Sequence, residues 1–173
     1  MIKCTVCKNN ELILFLKINK LIYWKCNYCE AIVLDPKNYI NYNQEKKHYL
    51  KHNNVINDKE YRAFLSNVIK PLKKNISSND IGLDYGCGYA PALADIFKKE
   101  GFKIDFYDPI FFPDRNVFLR KFNFITCSEV VEHFFYPHEE FIKLNNLLDY
   151  NSYLVIMTTF MTADHLFKNW HYR

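Results

Sequence analysis

Four cysteines stand in two pairs, Cys4-Thr-Val-Cys7 and Cys26-Asn-Tyr-Cys29, with 18 residues between the pairs. Two thiolates held in one tight turn can grip a metal ion, and two such turns complete a tetrahedral set. The spacing predicts structural Zn2+ bound by Cys4, Cys7, Cys26 and Cys29. Four thiolates leave the metal no open position, so its expected role is to hold the chain rather than to catalyse. Disulfides and iron are the competing readings. The other two cysteines, Cys87 and Cys127, stand apart and are expected as buried thiols.

Glycines and carboxylates mark a second centre. Three of the four glycines (Gly82, Gly86 and Gly88) fall in Ile81-Gly-Leu-Asp-Tyr-Gly-Cys-Gly-Tyr-Ala-Pro91. Ile81 and Leu83 point one way from an extended segment. Gly86 and Gly88 then allow a tight turn of positive φ that can bring backbone against a ligand. Pro91 fits the first position of a helix, with Leu93, Ile96 and Phe97 as its apolar face and Gly101 beyond its end. Strand, glycine turn and helix N-terminus in that order cradle a nucleotide-like ligand; an ordinary strand-turn-helix is the competing reading. A phosphate loop would need Lys-Ser/Thr after the glycines, and none follows. Asp84 favours a ligand carrying a cation over a pyrophosphate. Asp108 ends the next extended run, Lys103-Ile-Asp-Phe-Tyr-Asp108, where a carboxylate can accept both hydroxyls of a ribose. A turn at Asp108-Pro109 is the other reading of that residue, and Asp105, on the opposite face, is the weaker candidate.

These groups need elements to position them. Ile13-Leu-Phe-Leu16 and Leu21-Ile-Tyr-Trp24 read as a hairpin turning at Asn19-Lys20, too small to fold without the metal. Val33-Leu-Asp-Pro36 ends this module. Residues 44–52 read as a short polar helix, with His48 and His52 one turn apart and expected on the surface. Asp58 caps a helix running to about Leu72, with Tyr61, Phe64, Leu65, Val68 and Ile69 as its buried stripe. Pro71 and Ser77-Ser-Asn-Asp80 then break the chain. Phe122-Asn-Phe-Ile-Thr-Cys127 is a third strand, leading into Ser128-Glu-Val-Val-Glu-His-Phe134. Pro137 begins a helix with Phe141, Leu144, Leu147 and Leu148 inward. Asn151-Ser152 turns the chain into a buried strand from Tyr153 to Thr158. The alternation implies a right-handed parallel sheet.

Composition sets the bounds. Hydrophobic residues make up 49% and aromatic residues 17% of the 173, enough for one core and a small appendage. The net charge of +4 is mild, and the basic residues are mostly scattered lysines, so charge alone argues for no particular partner. No apolar run approaches membrane-spanning length and no leader precedes the cysteines. The expectation is a cytoplasmic protein with no membrane partner.

The run Leu83-Asp-Tyr-Gly-Cys-Gly88 resembles motif I of the class I S-adenosylmethionine-dependent methyltransferases. Many members carry glycine where this chain has Ala90, so Ala90 must keep a negative φ. From Cys4 to Arg173 the chain resembles a bacterial group of these enzymes with an amino-terminal zinc ribbon. The cysteine pairs, Leu34-Asp-Pro36, His52-Asn-Asn54, Tyr61-Arg62, Tyr107-Asp-Pro109, Glu129-Val-Val-Glu-His133 and Trp170-His-Tyr-Arg173 carry that resemblance. It implies an α/β fold, a Rossmann-like class I methyltransferase sheet preceded by a small zinc ribbon. The implied domains are a zinc ribbon over 1–36, a linker and helical cover over 37–75, and an incomplete S-adenosylmethionine-binding domain over 76–173. It also implies S-adenosylmethionine held by Asp84, Gly86, Cys87, Gly88, Asp108 and Glu129, with Tyr61 and Arg62 closing the site. Members continue past the Trp-His-Tyr-Arg segment with two more strands, so the chain is expected to be shortened and to hold about five of seven strands.

The expected function is methyl transfer to a hydroxyl, amine or carbon on a small molecule or RNA, driven largely by positioning. His133 is the expected base for a hydroxyl or amine acceptor, with Glu129 on the substrate side. In the small-RNA 3′-terminal 2′-O-methyltransferases, similar residues hold a divalent metal. Here these would be Glu129, Glu132 and His133, with His165 or His171 as a fourth, and Mg2+ is the weaker expectation. The alternative function is a zinc-ribbon binding module carrying an inactive cofactor-binding domain.

Overall fold

The computed structural model describes residues 2–51 and 55–170. His52, Asn53 and Asn54, and the His171-Tyr-Arg173 segment, lie outside the described residues, and with them the expected roles of His52 and His171.

Strands β1 (Leu12–Ile18) and β2 (Leu21–Cys26) form the expected antiparallel hairpin. It turns at Asn19, whose φ of +54° is one that asparagine tolerates. A third strand, β3 (Ile32–Leu34), pairs with β2, so the order is β1-β2-β3. At three residues it is too short to announce itself by alternation.

Helix α1 covers Tyr42–Tyr49, two residues upstream of the expected 44–52. The shift has a local cause: Asn41 and Gln44 cap each other's backbone N–H groups, each at 3.0 Å, and so fix the start. Helix α2 (Lys59–Leu72) is capped by Asp58, which accepts from the Tyr61 N–H at 2.7 Å. It buries Leu65, Val68, Ile69 and Leu72, while Phe64, expected inward, is exposed. Pro71 does not break the helix but sits in its last turn.

The second sheet holds β4 (Ile81–Tyr85), β5 (Lys103–Tyr107), β6 (Phe122–Ser128) and β7 (Leu148–Met157). All pairings are parallel, in the order β5-β4-β6-β7. Helix α3 (Ala92–Lys99) links β4 to β5, and α4 (Pro137–Leu147) precedes β7. One side of the sheet buries Leu65, Val68, Phe97 and Phe124 with α2 and α3. The other buries Leu83, Tyr85, Ile125 and Leu144 with α4. Gly82 is a packing residue: a Cβ there would overlap the Phe124 ring.

Several boundaries differ from expectation. Pro91 is the residue before α3 rather than its first. Leu148 begins β7 rather than ending α4, and Phe141 is only half-buried. Asn151-Ser152 lies inside β7: Asn151 has φ +53° where the pairing with β6 slips a register, so ladder bonds on either side absorb the turn residues. Among the described residues the parallel sheet has four strands, where about five are expected. Residues 108–121, interrupted by Pro109 and Pro113, make one bridge from Asp108 to Phe112 and a 3-10 turn instead of another strand. After β7, a 3-10 turn (Asp164–Asn169) returns to the hairpin. There Phe167 is buried edge-on against Phe15 and Tyr23, with ring centroids at 5.2 and 4.8 Å.

Candidate functional site

The four cysteine sulfurs converge, all within 4.8 Å of one another. Cys4 and Cys29 are 3.7 Å apart, and Cys7 and Cys26 are 3.6 Å apart. Zn–S bonds of about 2.3 Å in a tetrahedron separate the sulfurs by about 3.8 Å, so the set fits a zinc site. The two knuckles fold alike. Lys8 and Glu30, each following a pair, have φ of +64° and +60°, and their N–H groups return to Cys4 O and Cys26 O at 3.0 and 2.9 Å. Among the described residues this is the one group of three or more metal-competent side chains that comes together; Glu129, Glu132 and His133 are not such a group.

A cavity of about 640 Å³ opens at the carboxyl ends of β4, β5 and β6, within the size range of small-molecule sites. Gly86 and Gly88 have φ of +79° and +63°. The Gly86 and Cys87 N–H groups both donate to Tyr107 O, at 2.8 and 3.2 Å, which fastens the turn to β5. A Cβ on Gly86 would meet Val130 at 2.6 Å, whereas one on Gly88 would meet nothing within 4 Å. Gly88 therefore presents bare backbone to the cavity. Ala90 keeps out of positive φ, as its side chain requires.

Asp108 binds the turn from outside. Its Oδ2 accepts from Gly88 N–H at 3.0 Å, and its Oδ1 accepts from the N–H groups of Ile110 at 2.8 Å and Phe111 at 3.0 Å. The turn-initiating geometry and a place on the cavity wall thus coexist in one residue. Asp84 is not on that wall. It is buried behind it, accepting from the Thr126 hydroxyl at 3.1 Å and from Ala94 N–H in the first turn of α3. Burial pushes its carboxyl up to about 7, although those two hydrogen bonds favour the carboxylate.

The wall has a second end. Glu129 lies there with φ +56°, a left-handed conformation uncommon for a non-glycine, fixed by its N–H on Met157 O at 2.8 Å. His133 stands exposed on the wall, its ring 5.9 Å edge-on from Tyr49. Tyr85 O–H donates to Glu140 Oε2; Lys143 Nζ donates to Glu140 Oε1 at 2.6 Å and to Tyr85 Oη at 3.3 Å. Burial, then Glu140, raises the Tyr85 phenol far above its usual range, so it stays a donor. Burial likewise pushes the Cys87 and Cys127 thiols well up, which keeps them unreactive.

Gly86, Cys87, Gly88, Asp108, Glu129 and His133 therefore share one cavity, with Tyr61. Arg62 turns away to Asp95 at 2.6 Å, Asp105 pairs with Arg120, and Glu132 and His165 are off the wall. His48 is exposed but on the wall, and α1 also brings Glu45 and Tyr49 there. Burial and the Asp108 charge raise the Glu45 carboxyl. Sequence reasoning missed Glu45, Tyr49, Tyr85, Glu140 and Lys143. The spacing of Glu45, His48 and Tyr49, one helical face, was the available signal.

A cavity of this size, with bare glycine backbone and carboxylates at one end and aromatic and hydrogen-bonding groups at the other, can hold two reactants side by side. Residues 57–173, about two thirds of the chain, match the family model described as a methyltransferase domain. No curated protein matches the chain.

Proposed function

Because the chain belongs to the methyltransferase-domain family, we propose that its cavity binds S-adenosylmethionine at the glycine turn and transfers the methyl group to an acceptor at the Glu129–His133 end. The observation that carries this reading is the half-buried Gly88 backbone, with open space where a side chain would stand, beside Asp108 at the carboxyl end of the first parallel strand. The cofactor supplies an electrophilic methyl on a sulfonium. Acceptor electrons form the new bond to carbon as the carbon–sulfur bond breaks, leaving S-adenosylhomocysteine. Asp108 would accept from the ribose, Gly86 to Gly88 would supply backbone against the nucleoside, and Tyr61 from α2 would cover it. Alignment of the reactants accounts for much of the rate. His133 takes the proton of a hydroxyl or amine acceptor, with Glu129 beside it. The zinc ribbon over 1–36, the cover over 37–75 and the cofactor domain over 76–173 divide the labour. Zn2+ on Cys4, Cys7, Cys26 and Cys29 would be structural.

Two measurements test this. Calorimetry should detect S-adenosylhomocysteine binding, and labelled cofactor incubated with cell extract should mark RNA, protein or a small molecule. Binding without transfer to any pool would favour the inactive binding-module alternative, and no binding by folded protein would remove the cofactor reading. His133→Ala is expected to reduce turnover about 10²- to 10⁴-fold while leaving cofactor affinity unchanged. Lost cofactor affinity in a folded variant would instead assign His133 to the cofactor shell.

A further inference from the structure

Helix α4 begins without a cap of its own. Tyr136 precedes it and makes no side-chain cap hydrogen bond, so the first-turn N–H groups need partners from elsewhere. The Cys4–Cys7 knuckle supplies one. Thr5 O accepts from the His138 N–H at 3.1 Å, and Val6 O lies 2.9 Å from His138 Nδ1, which donates to it. Both carbonyls belong to the two residues between the cysteine ligands. Three further contacts grip the same segment. Lys8 pairs with Glu139 at 2.5 Å, Tyr39 O–H donates to Phe135 O at 2.9 Å, and the Tyr39 ring stacks on Phe135 at 4.9 Å. The segment so held forms part of the cavity wall: Phe134, Phe135 and Tyr136 line it, and Glu140 and Lys143 line it one turn further along α4.

We infer that His138 is a positioning residue, through which a metal-ordered Cys4–Cys7 knuckle sets the α4 wall of the cavity. A tetrathiolate metal fixes the turn that aims Thr5 O and Val6 O. Without the metal, four thiols must order that turn alone, and the two carbonyls lose their fixed direction. The His138 side chain reads the direction of the knuckle at the start of α4, through Val6 O, where Lys8 and Glu139 meet only as half-exposed charges. Glu140 and Lys143 ride on α4 while their partner Tyr85 is fixed in β4, so movement of α4 shifts the first two against the third. Coupling of this kind is reciprocal: the factor by which bound metal favours docked α4 is the factor by which docked α4 favours metal binding, so breaking the contact between them lowers both. The inference goes beyond the methyltransferase reading and stands without it, since it concerns the wall and not the reaction.

The test is hydrogen exchange on the full chain, with and without chelator, for wild type, His138→Ala and His138→Asn. Asn places an amide N–H where His138 has Nδ1, so it restores the donor without the ring. Removing zinc from wild type should speed exchange of amides 139–147 while leaving 92–99 in α3 unchanged. His138→Ala with zinc bound should speed the same α4 amides about 2- to 12-fold, as the loss of one hydrogen bond implies. It should weaken Zn2+ affinity, measured by competition with a chelator, by a matching factor, and His138→Asn should return both toward wild type. Unchanged α4 exchange after verified zinc loss overturns the inference, as does equal acceleration in α3 and α4 or an Ala variant that loosens α4 without weakening Zn2+ binding. A chain that binds no zinc overturns it as well. S-adenosylhomocysteine titrated into the same samples separates the two readings: absent binding in wild type removes the cofactor proposal and leaves the exchange result standing.

Discussion

Asp108 commits both carboxylate oxygens to its own chain, yet a carboxylate offers about four acceptor sites and the three N–H groups leave one of them open. The open position is on Oδ2, beside Gly88, and that is where a ribose hydroxyl would be received. A charge-assisted bond of this kind is worth about 1.5–3 kcal/mol. Asp108→Asn should therefore weaken S-adenosylhomocysteine binding roughly 10- to 150-fold. It should also lower thermal stability, because one acceptor for Gly88, Ile110 or Phe111 becomes a donor. Asp105→Asn should change affinity less than about 3-fold, since Asp105 faces Arg120 away from the cavity. Calorimetric titration of both variants checks the pair, and a larger loss from Asp105→Asn would reverse the assignment.

Helix α3 is held much as α4 is, by an acceptor from outside itself. Pro91 gives α3 no side-chain cap, and Asp84 at the end of β4 accepts from Ala94 N–H instead. This ties the strand before the glycine turn to the helix after it. The arrangement has a pH signature. The Asp84 carboxyl is raised by burial from 3.8 to about 7, so the folded chain holds that proton more tightly than the unfolded chain. Stability from this group is complete below about 3.8, falls as pH rises toward about 7, and is level above it. Asp84→Asn should remove that slope, with an effect of at most a few kcal/mol, and thermal melts between pH 4 and about 8 would show it. A slope that persists in the variant would assign it to other groups.

Helix α2 was legible because its apolar period and Asp58 cap agree, and β4, β5 and β6 because each is a short apolar run ended by turn residues. Phe64 was misassigned since periodicity fixes a face but not what the face meets; it meets the cavity. Asn151-Ser152 has turn chemistry, and pairing with β6 overrides it. The glycine turn, Asp108, Glu129 and His133 could be placed at strand ends from sequence alone. Asp84 could not be told from a wall residue, because its partners Thr126 and Ala94 come from different elements. Glu140 and Lys143 read as the polar side of an ordinary amphipathic helix until the fold put Tyr85 against them.

At the scale of the whole chain, the cysteine module and the parallel sheet are joined at the start of α4 and at the Phe167 turn, where Lys25 also pairs with Asp164 at 2.6 Å. No helix among the described residues is long and apolar enough to cross a membrane. Elemental analysis of protein purified without chelator should find one zinc per chain, and folded, metal-free protein would refute the zinc site. Chelation should lower the thermal midpoint, because about 35 residues of hairpin bury too little surface to stand alone. The sites where the module docks have a further consequence, in time. A ribosome adding about 5–20 residues per second completes His138 roughly 7 to 27 s after Thr5, and Phe167 later still. Throughout that interval Phe15 and Tyr23 lack the ring that covers them, and the knuckle carbonyls lack the helix they cap. A module made before the sheet is thus finished only after it, and those seconds are when a nascent chain has most use for a chaperone.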